Sequence, residues 1–433
     1  MIRHFLMKSI NLLPLWIVLV GCDSDLQQRN ATGVIVADVL SLSDTAPDSP
    51  EMLPKYVFGP RKFELIKDIS SMSAPGLKLI QGGDIEIISR AGSLITNGFF
   101  SGGATPFVDY STLNGVIKPK DDRSLSMLSA MFHFDSLFAS IERLSGVSRD
   151  ELLNDGLSFQ VIYQPAILID DDGDKSRRYE TGNAAYIAGA KQFALYKSGV
   201  DEEVPLIVNP QVVAHEFGHA IFELSFYQNA YQSCNKNEVT DEGVFPGRLE
   251  LEYIIRGLNE GFADFVSFVW TGSTNLLESS FGKTTQSDQR NFATIGYNYS
   301  NLGEGSERCT GEIYCVGSIF AKSLLDAYKD LGFDVKKREQ REEYLRALYS
   351  ILKGAGSELR DGVNDSLPSA DDSVSRCKLR DSRNVLFDDE ILGLFLKAFI
   401  DASRAEQKQA FCKSFAEHFG ESGFASRYRS GCL

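Results

Sequence analysis

Two short segments of the chain carry residue types able to bind a metal and move a proton. The first reads Val212-Val213-Ala214-His215-Glu216-Phe217-Gly218-His219. Residues four apart on a helix share a face, so His215 and His219 aim their imidazoles at one point with Glu216 beside them. Two neutral imidazoles held this way suit Zn²⁺. The pattern is short, but the chain has five histidines, one of them at position 4, and two of the other four are these. A catalytic zinc takes a third protein ligand and leaves a fourth position to water. The second segment, Leu258-Asn259-Glu260-Gly261-Phe262-Ala263-Asp264-Phe265, offers that ligand, with Glu260 forty-one residues after His219. Glu260 and Asp264 are again four apart. Glu260 can give an oxygen to the metal while Asp264 accepts the free ring N–H of a ligand histidine and fixes its tautomer. Leu258, Phe262, Phe265, Val266 and Phe268 surround these acids, and carboxylates in so apolar a stretch are costly to bury unpaired.

These side chains need elements to hold them. From Lys62 to Lys120, short alternating runs such as Ile85-Glu86-Ile87-Ile88, separated by Gly82-Gly83 and Gly102-Gly103, predict β-strands. Met127, Ala130, Met131, Phe134, Leu137, Phe138 and Ile141 recur at helical spacing and predict a helix over Ser126–Leu144. Strand signals follow at Leu157–Ile169 and Ala184–Tyr196. Between them, Asp170-Asp171-Asp172-Gly173-Asp174 clusters carboxylates around a turn glycine. Such a loop suits Ca²⁺, although the full EF-hand spacing is absent and a solvated turn is the simpler reading. From Pro210 onward the chain reads as mainly helical, interrupted by a Ser/Asp-rich stretch, Gly356–Arg383.

His215-Glu216-x-x-His219 followed by Asn259-Glu260-x-x-Ala263-Asp264 resembles the gluzincin metallopeptidases, the thermolysin and fungalysin families in particular. The likeness spans about residues 125–330, closely at the two metal segments and loosely elsewhere. It extends to the order of a helix, a strand and an Asn-Ala edge strand, Asn183-Ala184-Ala185-Tyr186, before the metal helix. The resemblance implies an α+β, zincin-like catalytic domain: a small mixed sheet with its edge strand over the active-site helix, then a mainly helical C-terminal part. It implies that His215, His219 and Glu260 bind zinc, supported by Asp264 and Asn259. Glu216 would be the general base that activates water and carries its proton to the leaving amine. Asn183 and Ala184 would hold an extended substrate, main chain to main chain.

Three departures from the family matter. The gap to the third ligand is about twice that of thermolysin, and residues 230–248 read as an inserted loop. No histidine lies between His219 and His418, so the family's histidine donor to the oxyanion is absent. Ile313-Tyr314-Cys315-Val316-Gly317-Ser318 resembles the fungalysin segment that carries it, with Tyr314 in its place. A phenol can donate there, though Tyr314 could equally be core packing. Tyr297 and Tyr299 are further candidates, and His133 and His418 read as structural. The Gly-rich, Glu-containing exopeptidase motif of the clan's aminopeptidases is missing, which favours an endopeptidase acting on a peptide or protein. The alternative is a catalytically silent zincin scaffold used for binding or envelope assembly.

Composition sets the context. The chain has 433 residues, 43% of them hydrophobic, and a formal charge of −15. Those figures exclude a largely disordered chain, and the acidity excludes a nucleic-acid partner, which requires a basic face. At the N-terminus, Arg3 and Lys8 precede the apolar stretch Leu12–Val20, and Leu19-Val20-Gly21-Cys22 resembles a bacterial lipoprotein signal. The resemblance implies a signal peptide over 1–21, lipid on Cys22 and a membrane-anchored protein of the bacterial envelope outside the cytoplasm, at the inner or the outer membrane. An ordinary signal peptide is the competing reading. The expected organisation is then a tether over 22–60, a β-rich region over 61–124, the catalytic region over 125–330 and a helical region over 331–433. Cys234, Cys309, Cys315, Cys377, Cys412 and Cys432 are an even set suited to three disulfides, with Cys412–Cys432 and Cys234–Cys309 as expected pairs. No CxxC spacing supports a zinc ribbon.

Overall fold

Runs of β-branched and aromatic residues broken by Gly and Pro build the first half of the molecule. The computed structural model describes residues 33–43, 47–88, 98–153, 158–171, 174–187, 190–197, 199, 202, 204–227, 248–282, 284, 288, 290–299, 312–366, 388–420 and 432. Its strands are β1 (Val36–Leu42), β2 (Tyr56–Lys62), β3 (Ser73–Ala74), β4 (Leu77–Gln81), β5 (Asp84–Ile88), β6 (Gly98–Ser101), β7 (Tyr110–Leu113), β8 (Val116–Pro119), β9 (Phe159–Tyr163), β10 (Ala166–Asp171), β11 (Asp174–Arg178), β12 (Ala184–Ile187) and β13 (Gln192–Leu195). They form three small sheets, ordered β2-β1-β8-β7, β11-β10-β5-β6 and β12-β13-β9-β4-β3. All three are mixed. The third runs parallel through β13, β9 and β4, with β12 and β3 antiparallel at its edges.

The helices are α1 (Asp122–Ala139), α2 (Ile141–Ser145), α3 (Arg149–Leu152), α4 (Pro210–Phe222), α5 (Arg248–Thr271), α6 (Glu278–Phe281), α7 (Glu312–Asp330), α8 (Arg338–Ser366), α9 (Asp388–Ala402) and α10 (Ala405–Phe419). The class is thus α+β, with small mixed sheets followed by a helical C-terminal part. Among the described residues no helix is long and apolar enough to cross a membrane.

Several boundaries differ from the sequence-based expectation. Residues 36–42 and 56–62, expected in a tether, are strands, and Ala37 and Val39 are fully buried against the core. Their Ser- and Pro-containing neighbours disguised them. The helix expected from Ser126 starts at Asp122, because the Asp121 carboxylate accepts the Ser124 N–H and caps it. It breaks at Ser140, and α2 then ends at Gly146 in the left-handed conformation, φ 77°. The apolar runs 157–169 and 184–196 each fold as two strands. α8 continues through Ser366, ten residues into the stretch expected to interrupt it.

One hydrophobic core runs from Ile35 through Phe134, Phe217, Phe262, Phe320 and Phe399 to Phe419. Each such phenylalanine contributes about 1.5–3 kcal/mol on burial. Cys412, midway along α10, and Cys432 form the expected disulfide. Cys315 is also disulfide-bonded, to a partner outside the described residues. Cys22, Cys234, Cys309 and Cys377 lie outside them, as does the loop 230–247.

Candidate metal centre

Helix α4 begins where its sequence dictates. Asn209 accepts the Gln211 N–H at 2.9 Å and Pro210 fills the first turn, where its missing N–H costs nothing. Asn209 is itself pinned by the Tyr56 hydroxyl at 3.1 Å and donates to Ser280 Oγ at 2.9 Å. A residue of the expected tether therefore helps to seat the metal helix. Glycine sets how closely α4 and α7 approach α5. A Cβ on Gly218 would lie 2.6 Å from Ala263 Cα, and one on Gly261 would lie 2.1 Å from the Gly317 carbonyl oxygen. One on Gly317 would meet Glu260 Cβ at 3.0 Å. The segment Phe217-Gly218-His219 thus lets α5 sit close enough for Glu260 to reach both histidines.

The three expected ligands come together. His215 Nε2 and His219 Nε2 are 3.1 Å apart, Glu260 Oε2 is 3.3 Å from His215 Nε2, and Glu260 Oε1 is 3.8 Å from His219 Nε2. Among the described residues this is the group able to hold a metal ion. Each histidine is oriented from behind: His215 Nδ1 stands 2.8 Å from Asp264 Oδ1, and His219 Nδ1 stands 3.0 Å from Asn259 Oδ1. With those protons pointing outward, both Nε2 lone pairs face the shared point.

The charge balance also calls for a cation there. Burial works against a charged His215, yet Asp264 and Glu260 outweigh it and push its pKa up to about 10. These surroundings favour positive charge at His215, which a bound cation can supply. Burial opposes ionisation of Glu260 too, but His219, His215 and Arg290 hold its carboxyl well below the usual range. Glu216 is 5% exposed, and burial pushes its pKa up against the pull of His215 and His219. A carboxylate raised in this way is better matched to proton transfer. β12 packs against the metal helix, and the Tyr186 main chain pulls the Glu216 pKa slightly back down.

Arg290 escaped the sequence reading. Its guanidinium grips Asp264 with two bonds, Nη2 to Oδ1 at 2.6 Å and Nε to Oδ2 at 3.2 Å, and its Nη2 is 3.6 Å from Glu260 Oε2. No motif marks it. The available signal was indirect: buried Asp264 and Glu260 together ask for a counter-cation.

Tyr314 lies in the first turn of α7, 46% exposed, with its ring 4.5 Å from the Arg290 guanidinium carbon. The nearby Glu260 carboxylate and burial both raise its phenol pKa, and Glu216 acts in the same direction. Its exposure rules out simple core packing. Of the other two tyrosines, Tyr299 lies against the Phe419 ring at 5.9 Å, while Tyr297 bonds Ser318 and feels the charges of Asp264 and Arg290. His418 Nε2 is 2.8 Å from Asp326 Oδ2, and His133 is buried with its pKa lowered to about 4 by burial, so both lie apart from the site.

Asn183 is exposed and turns its Oδ1 back onto the Ala184 N–H at 2.9 Å. Ala184 opens β12, whose outer edge has no strand partner among the described residues. The candidate calcium loop is a hairpin in which Asp171 pairs with Asp174, while Asp172 and Gly173 lie outside the described residues. Compared with known proteins, the chain matches no family model and no curated protein.

Proposed function

We propose that this chain is a zinc-dependent endopeptidase of the gluzincin type, carried on a bacterial membrane outside the cytoplasm by lipid on Cys22. The observation that carries the enzymatic reading is the convergence of His215, His219 and Glu260, with buried Glu216 beside them and an edge strand packed on the same helix. The 3.1 Å between the two Nε2 atoms and the 3.3 Å from His215 Nε2 to Glu260 Oε2 support zinc. A tetrahedral ion with arms of about 2.0–2.1 Å requires ligand atoms about 3.3 Å apart. Imidazoles joined by one carboxylate are also the donors of a borderline ion rather than a hard one.

Bound zinc supplies a Lewis acid that polarises the peptide carbonyl and makes water acidic enough to react near neutral pH. The chain's own residues do the rest. Glu216 takes one proton from the attacking water as its oxygen bonds to the carbonyl carbon. It then delivers that proton to the amide nitrogen as the C–N bond breaks, leaving a carboxylic acid and an amine. Tyr314 donates its O–H to the carbonyl oxygen as charge gathers there. Strand β12 offers its outer edge to an extended peptide, aligning the scissile carbonyl with Glu216. Asp264 and Asn259 keep the two imidazoles in register, and Arg290 neutralises Asp264.

The test is zinc content together with cleavage of casein and of a broad peptide library, for wild type and Glu216→Gln. Retained zinc without cleavage by wild type overturns the peptidase reading in favour of a silent scaffold. Cleavage unaffected by Glu216→Gln overturns the mechanism. For the anchor, labelled fatty acid should enter wild type and not Cys22→Ser.

A further inference from the structure

The metal helix carries one more acid than the proposed reaction uses. Glu223 lies eight residues past His215 and four past His219, hence on the same side of the helix, and it is 9% exposed. It opens the π-turn Glu223–Tyr227 that ends α4. Such widened turns are frequent beside functional sites. The Tyr186 hydroxyl donates to Glu223 Oε2 at 2.5 Å, the length of a charge-assisted bond. Tyr186 belongs to β12, which packs against the metal helix. Its ring is also wedged 5.0 Å from Phe193, which stacks 6.1 Å from Phe217 of the metal helix.

One residue therefore ties the edge strand to the metal helix by its hydroxyl at Glu223 and its ring through Phe193. β12 is four residues long and joins its sheet through β13 alone among the described strands. These ties add to its pairing with β13 in setting its distance from the metal helix. We propose that Tyr186 is a positioning residue and Glu223 its anchor, together fixing the spacing between the substrate-bearing edge of β12 and the Glu216 carboxylate. This inference rests on the peptidase reading for its consequence in turnover, but the brace itself does not.

The experiment uses the full chain loaded with zinc and compares wild type, Tyr186→Phe, Glu223→Gln, Glu223→Leu and the Tyr186→Phe/Glu223→Leu double variant. Tyr186→Phe keeps the ring and removes only the hydroxyl. We expect its kcat/KM to fall about tenfold or more, mainly in kcat, because a misplaced carbonyl still binds but reacts slowly. Zinc affinity should stay within about twofold, and amide exchange at 184–187 should quicken about tenfold. Glu223→Gln preserves an acceptor and should keep most of the activity and protection. Glu223→Leu should match Tyr186→Phe, and the double variant should add nothing further. Unchanged exchange at 184–187 in Tyr186→Phe overturns the brace, and unchanged kcat with faster exchange overturns its positioning role. A wild type that cleaves nothing overturns the peptidase reading instead, while exchange and zinc affinity still decide whether the brace exists.

Discussion

The molecule contains the same pair of side chains twice. His215 stands 2.8 Å from Asp264, and His418 stands 2.8 Å from Asp326. Both histidines are buried, at 6% and 5% exposure, so neither distance nor burial tells a site from a structural contact. The difference lies in which nitrogen is used. Asp264 takes Nδ1 of His215 and leaves Nε2 to meet His219 and Glu260. Asp326 takes Nε2 of His418, the outward nitrogen, and its other neighbours are the ammonium groups of Lys322 and Lys329 at 3.8 and 3.7 Å. A histidine becomes a metal ligand when its carboxylate partner sits behind the ring and the freed lone pair has company.

The comparison breaks most readily at Glu216, whose counterpart the His418 pair lacks. Glu216→Gln should retain metal and lose about 10²–10⁴-fold in kcat, the usual worth of a general base; metal analysis and cleavage of one peptide check both halves. Next comes Tyr314→Phe. If its O–H serves the oxyanion, kcat falls by about 10²–10³ with metal content unchanged, and an unchanged kcat removes it from the mechanism. Asp264→Asn should weaken metal binding about 10–100-fold in a competition titration, whereas Asp326→Asn should leave it alone. Equal losses in the two variants would erase the distinction between the pairs. Gly261→Ala drives a methyl group into the Gly317 carbonyl oxygen. We expect about 1–3 kcal/mol of destabilisation by denaturant titration, with weaker metal binding because Glu260 is carried on the same turn.

Much of this centre could be read from spacing. His215 and His219, like Glu260 and Asp264, are four apart on single helices, and helical geometry alone brings each pair to one side. Asn259 and Asp264 sit behind the histidines as the resemblance implied. Arg290 could not be found that way, because it lies twenty-six residues after Asp264, beyond the end of α5, and shares no period with it. The same limit hid β1. Val36–Leu42 looks like part of a polar linker until β2 and β8 are seen to pair with it on either side. Local pattern reports helix faces well, but partners brought together by tertiary contact leave no periodic trace.

The smallest expected effect is also the cleanest control. Burial raises the pKa of Asp326, but its bond to His418 and the charges of Lys322, His418 and Lys329 outweigh that and leave it lowered. A carboxylate lowered in the folded state adds stability that is complete above its unfolded pKa, about 3.9, and is lost as pH falls through the folded value. Asp326→Asn should therefore cost roughly 1 kcal/mol at pH 7, as one partly exposed bonded pair does. The gap between the two melting curves should close as the pH drops below about 4. Added zinc should raise the melting temperature of Asp326→Asn as much as that of wild type, because linkage acts through the metal site alone. If it does not, Asp326 acts on the metal centre from the far end of α7, and the two histidine pairs belong to one device rather than two.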